Sequence, residues 1–139
     1  MPAEEEVAPP LVGLHHLRIP VTGVETSRDW YVRVLGLTPL LDHEEEDRLT
    51  GVVLGHGCGL TIGLHLDPAG AAALRGYALV ALAVSGVEEL ANWSLWLEQL
   101  DVPHTPVLMG TLGSRLEVAD PDGIVVELLA GRILTVEEA

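Results

Sequence analysis

Lysine is absent from this chain of 139 residues, cysteine occurs once, and no apolar run approaches the length of a membrane-spanning helix. Each absence removes a class of protein. The seven basic residues are all arginines, scattered among 21 acidic ones, and a formal charge of −14 repels a phosphate backbone, so nucleic acid is excluded as a partner. A lone Cys58 rules out an intramolecular disulfide framework and any zinc site built from several cysteines. It also lacks the basic neighbour or helix terminus that would activate a nucleophile. A membrane span needs about eighteen consecutive apolar residues. The opening Met-Pro-Ala-Glu-Glu-Glu is acidic where a secretory leader is basic and then apolar. The expectation is a cytoplasmic protein with no membrane partner, whose acidic field favours a neutral or cationic small molecule.

What is present is organised as a repeat. Val21-Thr22-Gly23-Val24-Glu25 returns 63 residues later as Val84-Ser85-Gly86-Val87-Glu88. Each copy follows an alternating apolar segment, His16 to Val21 and Leu79 to Val84, and each precedes a stretch of helical period. Thr22 with Glu25, and Ser85 with Glu88, have the spacing of capping boxes, so a helix is expected to begin at each. The first should bury Trp30, Tyr31, Val34 and Leu35 and stop at Gly36; the second carries Leu90, Trp93, Leu97 and Leu100 as a stripe that would face a sheet. Short strands follow each helix: 38–43, 50–55 and 60–66 in the first half, 104–109, 115–119 and 124–130 in the second. Asp120-Pro121-Asp122-Gly123 is a turn signal, and the segment from Asp67-Pro68-Ala69-Gly70 through the following alanines reads as the joint between halves. Each half is therefore βαβββ. One helix covers only one face of a four-stranded sheet, so the halves must lend each other, or a second chain, the surface that closes the other face. Residues 1–10 read as a flexible acidic arm, 11–130 as a single domain with module one at 13–67 and module two at 76–130, and 131–139 as a C-terminal tail.

Candidate chemistry comes from polar residues inside apolar strands. Glu127 is the only ionisable side chain in Ile124-Val125-Val126-Glu127-Leu128-Leu129-Ala130, and burial without a partner would be costly. It calls for a metal, a hydrogen-bond donor, or an arginine such as Arg18 or Arg115. His16 opens the first strand and His65 lies near the end of the fourth. Two imidazoles and a carboxylate form a set that holds zinc, nickel, manganese or iron with positions left for substrate, although a strand histidine is also a common hydrogen-bonded core or rim residue. The repeat sets Leu79 against His16 and Gly63 against Glu127, so two of four equivalent places carry ligand-type residues. The run His43-Glu44-Glu45-Glu46-Asp47 is read as a solvated hairpin turn, and Trp93 and Trp96 as core and rim.

The stretches His16 to Leu37, Leu60 to His65, Gly76 to Val84 and Asp120 to Leu128 together resemble the vicinal oxygen chelate superfamily, which includes glyoxalase I, fosfomycin-resistance enzymes, extradiol dioxygenases and bleomycin-binding proteins. The resemblance implies an α+β, glyoxalase-like fold: two βαβββ modules in pseudo-two-fold arrangement enclosing a cavity, commonly in a homodimer. It implies a divalent metal, with His16 and Glu127 at family ligand places; His65, on the same strand face as Gly63, is the candidate third ligand or a pocket residue, Glu127 is the candidate catalytic group, and Arg18, Arg115 and Trp96 are candidate substrate-pocket residues. Leu79 stands where catalytic members usually have a histidine, and Gly63 where some have a carboxylate or amide. Two functions follow from the resemblance. One is a metal-dependent lyase, isomerase or dioxygenase; the other is a metal-free protein that sequesters a cationic small molecule or antibiotic.

Overall fold

A computed structural model describes residues 6–137, so residues 1–5 of the expected arm and 138–139 of the expected tail lie outside the described residues. The first half forms β1 (Leu17–Val21), α1 (Val24–Leu35), β2 (Thr38–Glu45), β3 (Arg48–Gly55) and β4 (Thr61–Leu66). A short α2 (Pro68–Ala73) follows, then β5 (Ala78–Ala83), α3 (Val87–Gln99), β6 (Leu108–Gly110), β7 (Gly113–Ala119) and β8 (Val125–Ala130). The two sheets have the same topology, β1-β4-β3-β2 and β5-β8-β7-β6. In each, the first strand lies parallel to the fourth and the remaining pairs are antiparallel. The repeat in the sequence is thus a repeat of structure, and the fold is the expected α+β pair of βαβββ modules.

Strand alternation decides which face is buried. Ile19, Val21, Val52, Leu54, Ile62 and Leu64 of the first sheet join Leu116, Val118, Val126 and Leu128 of the second in one core cluster. That cluster also takes in Tyr31, Val34 and Leu35 of α1 and Leu90 and Leu97 of α3. The halves therefore share a core on the helical side of both sheets, which leaves the alternate residues of each strand facing away from it.

Both helices begin without the expected capping boxes. Their N-caps are Gly23 and Gly86, and neither has a side-chain cap. Thr22 instead donates its hydroxyl to Asp122 Oδ1 at 2.6 Å, and its backbone N–H to Asp122 Oδ2 at 3.1 Å, tying the start of α1 to the β7–β8 turn. The hydroxyl is spent on a contact a hundred residues away, which local spacing does not reveal. At the other end of α1 the expectation holds: Gly36 is left-handed, φ 75°, and its N–H closes on Val32 O.

The joint between halves is a helix. Pro68 occupies its first turn, where a missing N–H costs nothing, and Asp67 caps it by accepting from Gly70 N at 3.0 Å. The strand expected over 104–109 shrinks to β6, with His104 held by one bridge to Val118. Pro103 and Pro106 have no N–H to donate to a ladder. Among the described residues no helix is long and apolar enough to cross a membrane.

Candidate functional site

The first sheet turns His16, Arg18, Gly63 and His65 away from the core. Their neighbours Ile19, Ile62 and Leu64 are buried on the other face, and the parallel register sets Arg18 beside Gly63. Gly63 is the position that lets His16 lie down. A β-carbon there would meet His16 Cδ2 at 3.2 Å and Nε2 at 3.7 Å, so the imidazole rests over the glycine. His65 stands one pleat further along β4, roughly 6.6 Å away, opposite Gly51 of β3. The imidazole of His16 is exposed and meets His15, with their Nδ1 atoms 2.9 Å apart, while His65 is half-buried. A side chain at position 63 would occupy the space that His16 uses.

The second sheet turns out an ion cluster. Glu127 of β8 is directly opposite Glu117 of β7, and two carboxylates in that register repel. Arg115, two residues before Glu117 and on the same face, resolves the repulsion. Its Nε donates to Glu117 Oε2 at 3.0 Å and stands 3.3 Å from Glu127 Oε2. All three side chains keep roughly a quarter of their surface in solvent, 30% for Arg115, 27% for Glu117 and 24% for Glu127. The guanidinium also lies across Gly110 of β6, where an added β-carbon would come 2.6 Å from Nη1. Arg115 is thus one of the partners the sequence left open for Glu127. Glu117 was missed, although Arg115 and Glu117 at i and i+2 already share a strand face; only the register of β7 against β8 brings Glu127 to them.

The residues expected to form one site occupy three places. His16, His65 and Arg18 lie on the outward face of the first sheet, Glu127 and Arg115 on that of the second, and Trp96 on α3. The Trp96 indole N–H donates to Val34 O of α1 at 2.9 Å, on the helical side of the molecule. Among the described residues of one chain, no three His, Cys, Asp or Glu side chains are placed to hold a metal ion. A single chain therefore does not fit a three-ligand cation, and Glu127 has an arginine beside it instead. Each outward face nevertheless carries side chains of a type that can ligate metal, His16 and His65 on the first and Glu117 and Glu127 on the second.

A further polar network was read from sequence only as a turn. Buried Asp120 accepts the Tyr31 hydroxyl at 2.7 Å through Oδ2, and Asp122 N and Ile124 N at 2.9 and 3.0 Å through Oδ1. Burial pushes the Asp120 carboxyl above its ordinary range, outweighing these hydrogen bonds. The Tyr31 phenol is pushed up by burial and by the adjacent Asp120 charge. Tyr31 and Asp120 join the two modules and face the core, away from both candidate faces.

Paired βαβββ modules of the same topology, with His16, Arg18 and His65 on one outward sheet face and Arg115, Glu117 and Glu127 on the other, define the class of fold. The family model of the Glyoxalase/Bleomycin resistance protein/Dioxygenase superfamily matches residues 13–128, and the chain belongs to that family. No curated protein matches it in sequence. Among solved structures, a glyoxylase/bleomycin resistance protein/dioxygenase domain from Frankia sp. EAN1pec has a TM-score of 0.72 at 23% identity, covering 88% of this chain and 100% of that one. A Glu-to-Gln mutant of the fosfomycin resistance protein FosX from Listeria monocytogenes, complexed with Mn(II) and 1S,2S-dihydroxypropylphosphonic acid, gives 0.69 at 18%, covering 92% and 96%. Lactoylglutathione lyase from Agrobacterium tumefaciens gives 0.68 at 17%, covering 88% and 96%. These likenesses are of fold.

Proposed function

We propose that this protein is a cytoplasmic, divalent-metal-dependent member of its superfamily, acting as a lyase, isomerase or dioxygenase on a small oxygen-bearing molecule. Its site is shared between two copies: His16 and His65 come from one chain and Glu127 from the partner subunit. The observation that carries this reading is the placement of the three donors. They lie on the two faces that the shared core leaves open, and these belong to different sheets. A homodimer that sets the first sheet of one copy against the second sheet of another closes both faces and completes two equivalent sites. The FosX neighbour with Mn(II) supports a cation in such a fold. Zinc, nickel, manganese or iron bound there would supply a Lewis acid to two neighbouring substrate oxygens.

The protein's own residues do the rest. Gly63 keeps the space in which His16 lies, and Arg18 beside it offers an anionic substrate group a guanidinium. Arg115 Nε, 3.3 Å from Glu127 Oε2, must release that side chain to a cation. A base for proton transfer would come from Glu127. The two carboxylates of Glu117 and Glu127 outnumber the single guanidinium of Arg115, and that excess negative charge supports a second reading, in which this face attracts a cationic ligand without metal.

Mixing variants separates these readings. His16→Ala and Glu127→Gln chains should each lose bound metal, while a dimer containing one of each has one intact site and one doubly altered site. Elemental analysis of that mixed dimer should recover about half the wild-type metal. Loss of metal in the mixed dimer would overturn the shared site, and wild-type metal in Glu127→Gln would remove Glu127 from it.

A further inference from the structure

On the helical side, away from both sheet faces, the two modules form a half-open cavity of about 490 Å3. Most of its wall is apolar, with Leu35, Leu37 and Leu60 from the first module and Leu82, Val84 and Leu128 from the second, while His56, Ser85 and Glu89 are its polar residues. A neighbouring groove of about 390 Å3 shares Leu35, Glu89 and Trp93 with it and continues past Trp96 at the C-terminal end of α1. The cavity has the size of an ordinary small-molecule pocket, which runs from about 300 to 1,000 Å3.

The boundary between the two spaces carries charge of one sign. Glu89 lines both, its Oε1 accepts from Asn92 at 2.8 Å, and among the described residues no arginine lines either space. The C-terminus of α1 at Gly36 adds the negative end of a helix dipole. Trp93 and Trp96 bring indole faces, which attract a cation. His56, on the cavity wall, accepts the Cys58 N–H through Nδ1 at 3.0 Å. An apolar chamber with an anionic, aromatic mouth selects a molecule with an apolar body and one positive end.

We propose that this junction is a second binding site, distinct from the sheet faces, for a cationic amphiphile: a hydrocarbon or aryl body in the cavity and an ammonium group between Glu89 and the indoles of Trp93 and Trp96. The site is complete within one chain and does not rest on the metal reading. Cys58, which lines the cavity and is exposed, makes occupancy measurable as protection from alkylation.

The test uses decyltrimethylammonium below its micellar concentration, with decyl sulfate and n-decanol as anionic and neutral counterparts, on the whole protein. One decyltrimethylammonium per chain should bind saturably, shift the tryptophan emission and slow alkylation of Cys58 by iodoacetamide. Glu89→Gln should weaken that binding by about tenfold. Glu88→Gln, which removes the same charge one residue away and outside the cavity, should not. Ser85→Trp, at the cavity wall, should abolish binding; if that chain fails to fold, the Glu89 and Glu88 pair decides alone. Equal loss in both glutamate variants would reduce the effect to diffuse surface charge and overturn the proposal. So would an unprotected Cys58, or decanol or decyl sulfate binding as tightly as the cation.

Discussion

The Tyr31 and Asp120 pair shows how one hydrogen bond sets a pH dependence. Asp120 has its carboxyl raised by burial, so the folded state holds its proton more readily than the unfolded chain does. Its contribution to stability is fully present below the unfolded pKa near 4 and is lost as pH rises through the higher folded value. Urea unfolding between about pH 3 and pH 7 should show wild type losing stability relative to Asp120→Asn as pH rises. Tyr31 is raised as well, so its contribution is intact below the unfolded value near 10 and disappears above it. Tyr31→Phe should flatten that alkaline limb and cost about 1–3 kcal/mol at neutral pH, because it leaves a buried acceptor short of a donor. An unchanged alkaline limb in Tyr31→Phe would refute the assignment. None of this is legible locally. The sequence marks Asp120-Pro121-Asp122-Gly123 as a turn, and only folding carries Tyr31 across 89 residues to reach it.

At the scale of elements, α1 carries one residue that helps it and one that does not. Gly36 sits at φ 75°, and a β-carbon added there would have no atom within 4 Å, so Gly36→Ala costs backbone conformation alone, about 1 kcal/mol. Ser27, 1% exposed, has a hydroxyl that finds no partner among the described residues. Ser27→Ala removes that unsatisfied group and should leave stability equal or raise it by up to about 1 kcal/mol. Thermal melts of both variants check these signs, and a Ser27→Ala melting point well below wild type would mean the hydroxyl is satisfied. Gly36 was legible because a left-handed C-cap is a local demand that glycine meets best. The capping boxes were misread because Thr22 and Glu25 have the right spacing, yet the threonine hydroxyl finds Asp122. The β6 strand was overextended because apolar alternation does not count the N–H groups that Pro103 and Pro106 lack.

For the whole molecule, the core decides cooperativity. Both sheets and both long helices contribute to one cluster, and the contacts of Tyr31 with Asp120 and Thr22 with Asp122 cross between modules. The halves should unfold together, although each is a complete βαβββ unit. Native-state hydrogen exchange should give the amides of β4 and β8 the same opening free energy. A lower value confined to one sheet would show that the modules come apart. The 63-residue repeat, the strand–helix–strand order and the alternation that marks inward residues were all determined by the sequence, because hydrophobic period and turn chemistry act over a few residues. Glu127 stood out for the same reason, as a charge among apolar neighbours. Tertiary structure alone decided that Glu117 faces Glu127 across a ladder, that Arg115 lies between them and that His16 rests on Gly63. Register and the direction in which a sheet face points depend on residues far apart in the chain, where spacing along the sequence carries no information.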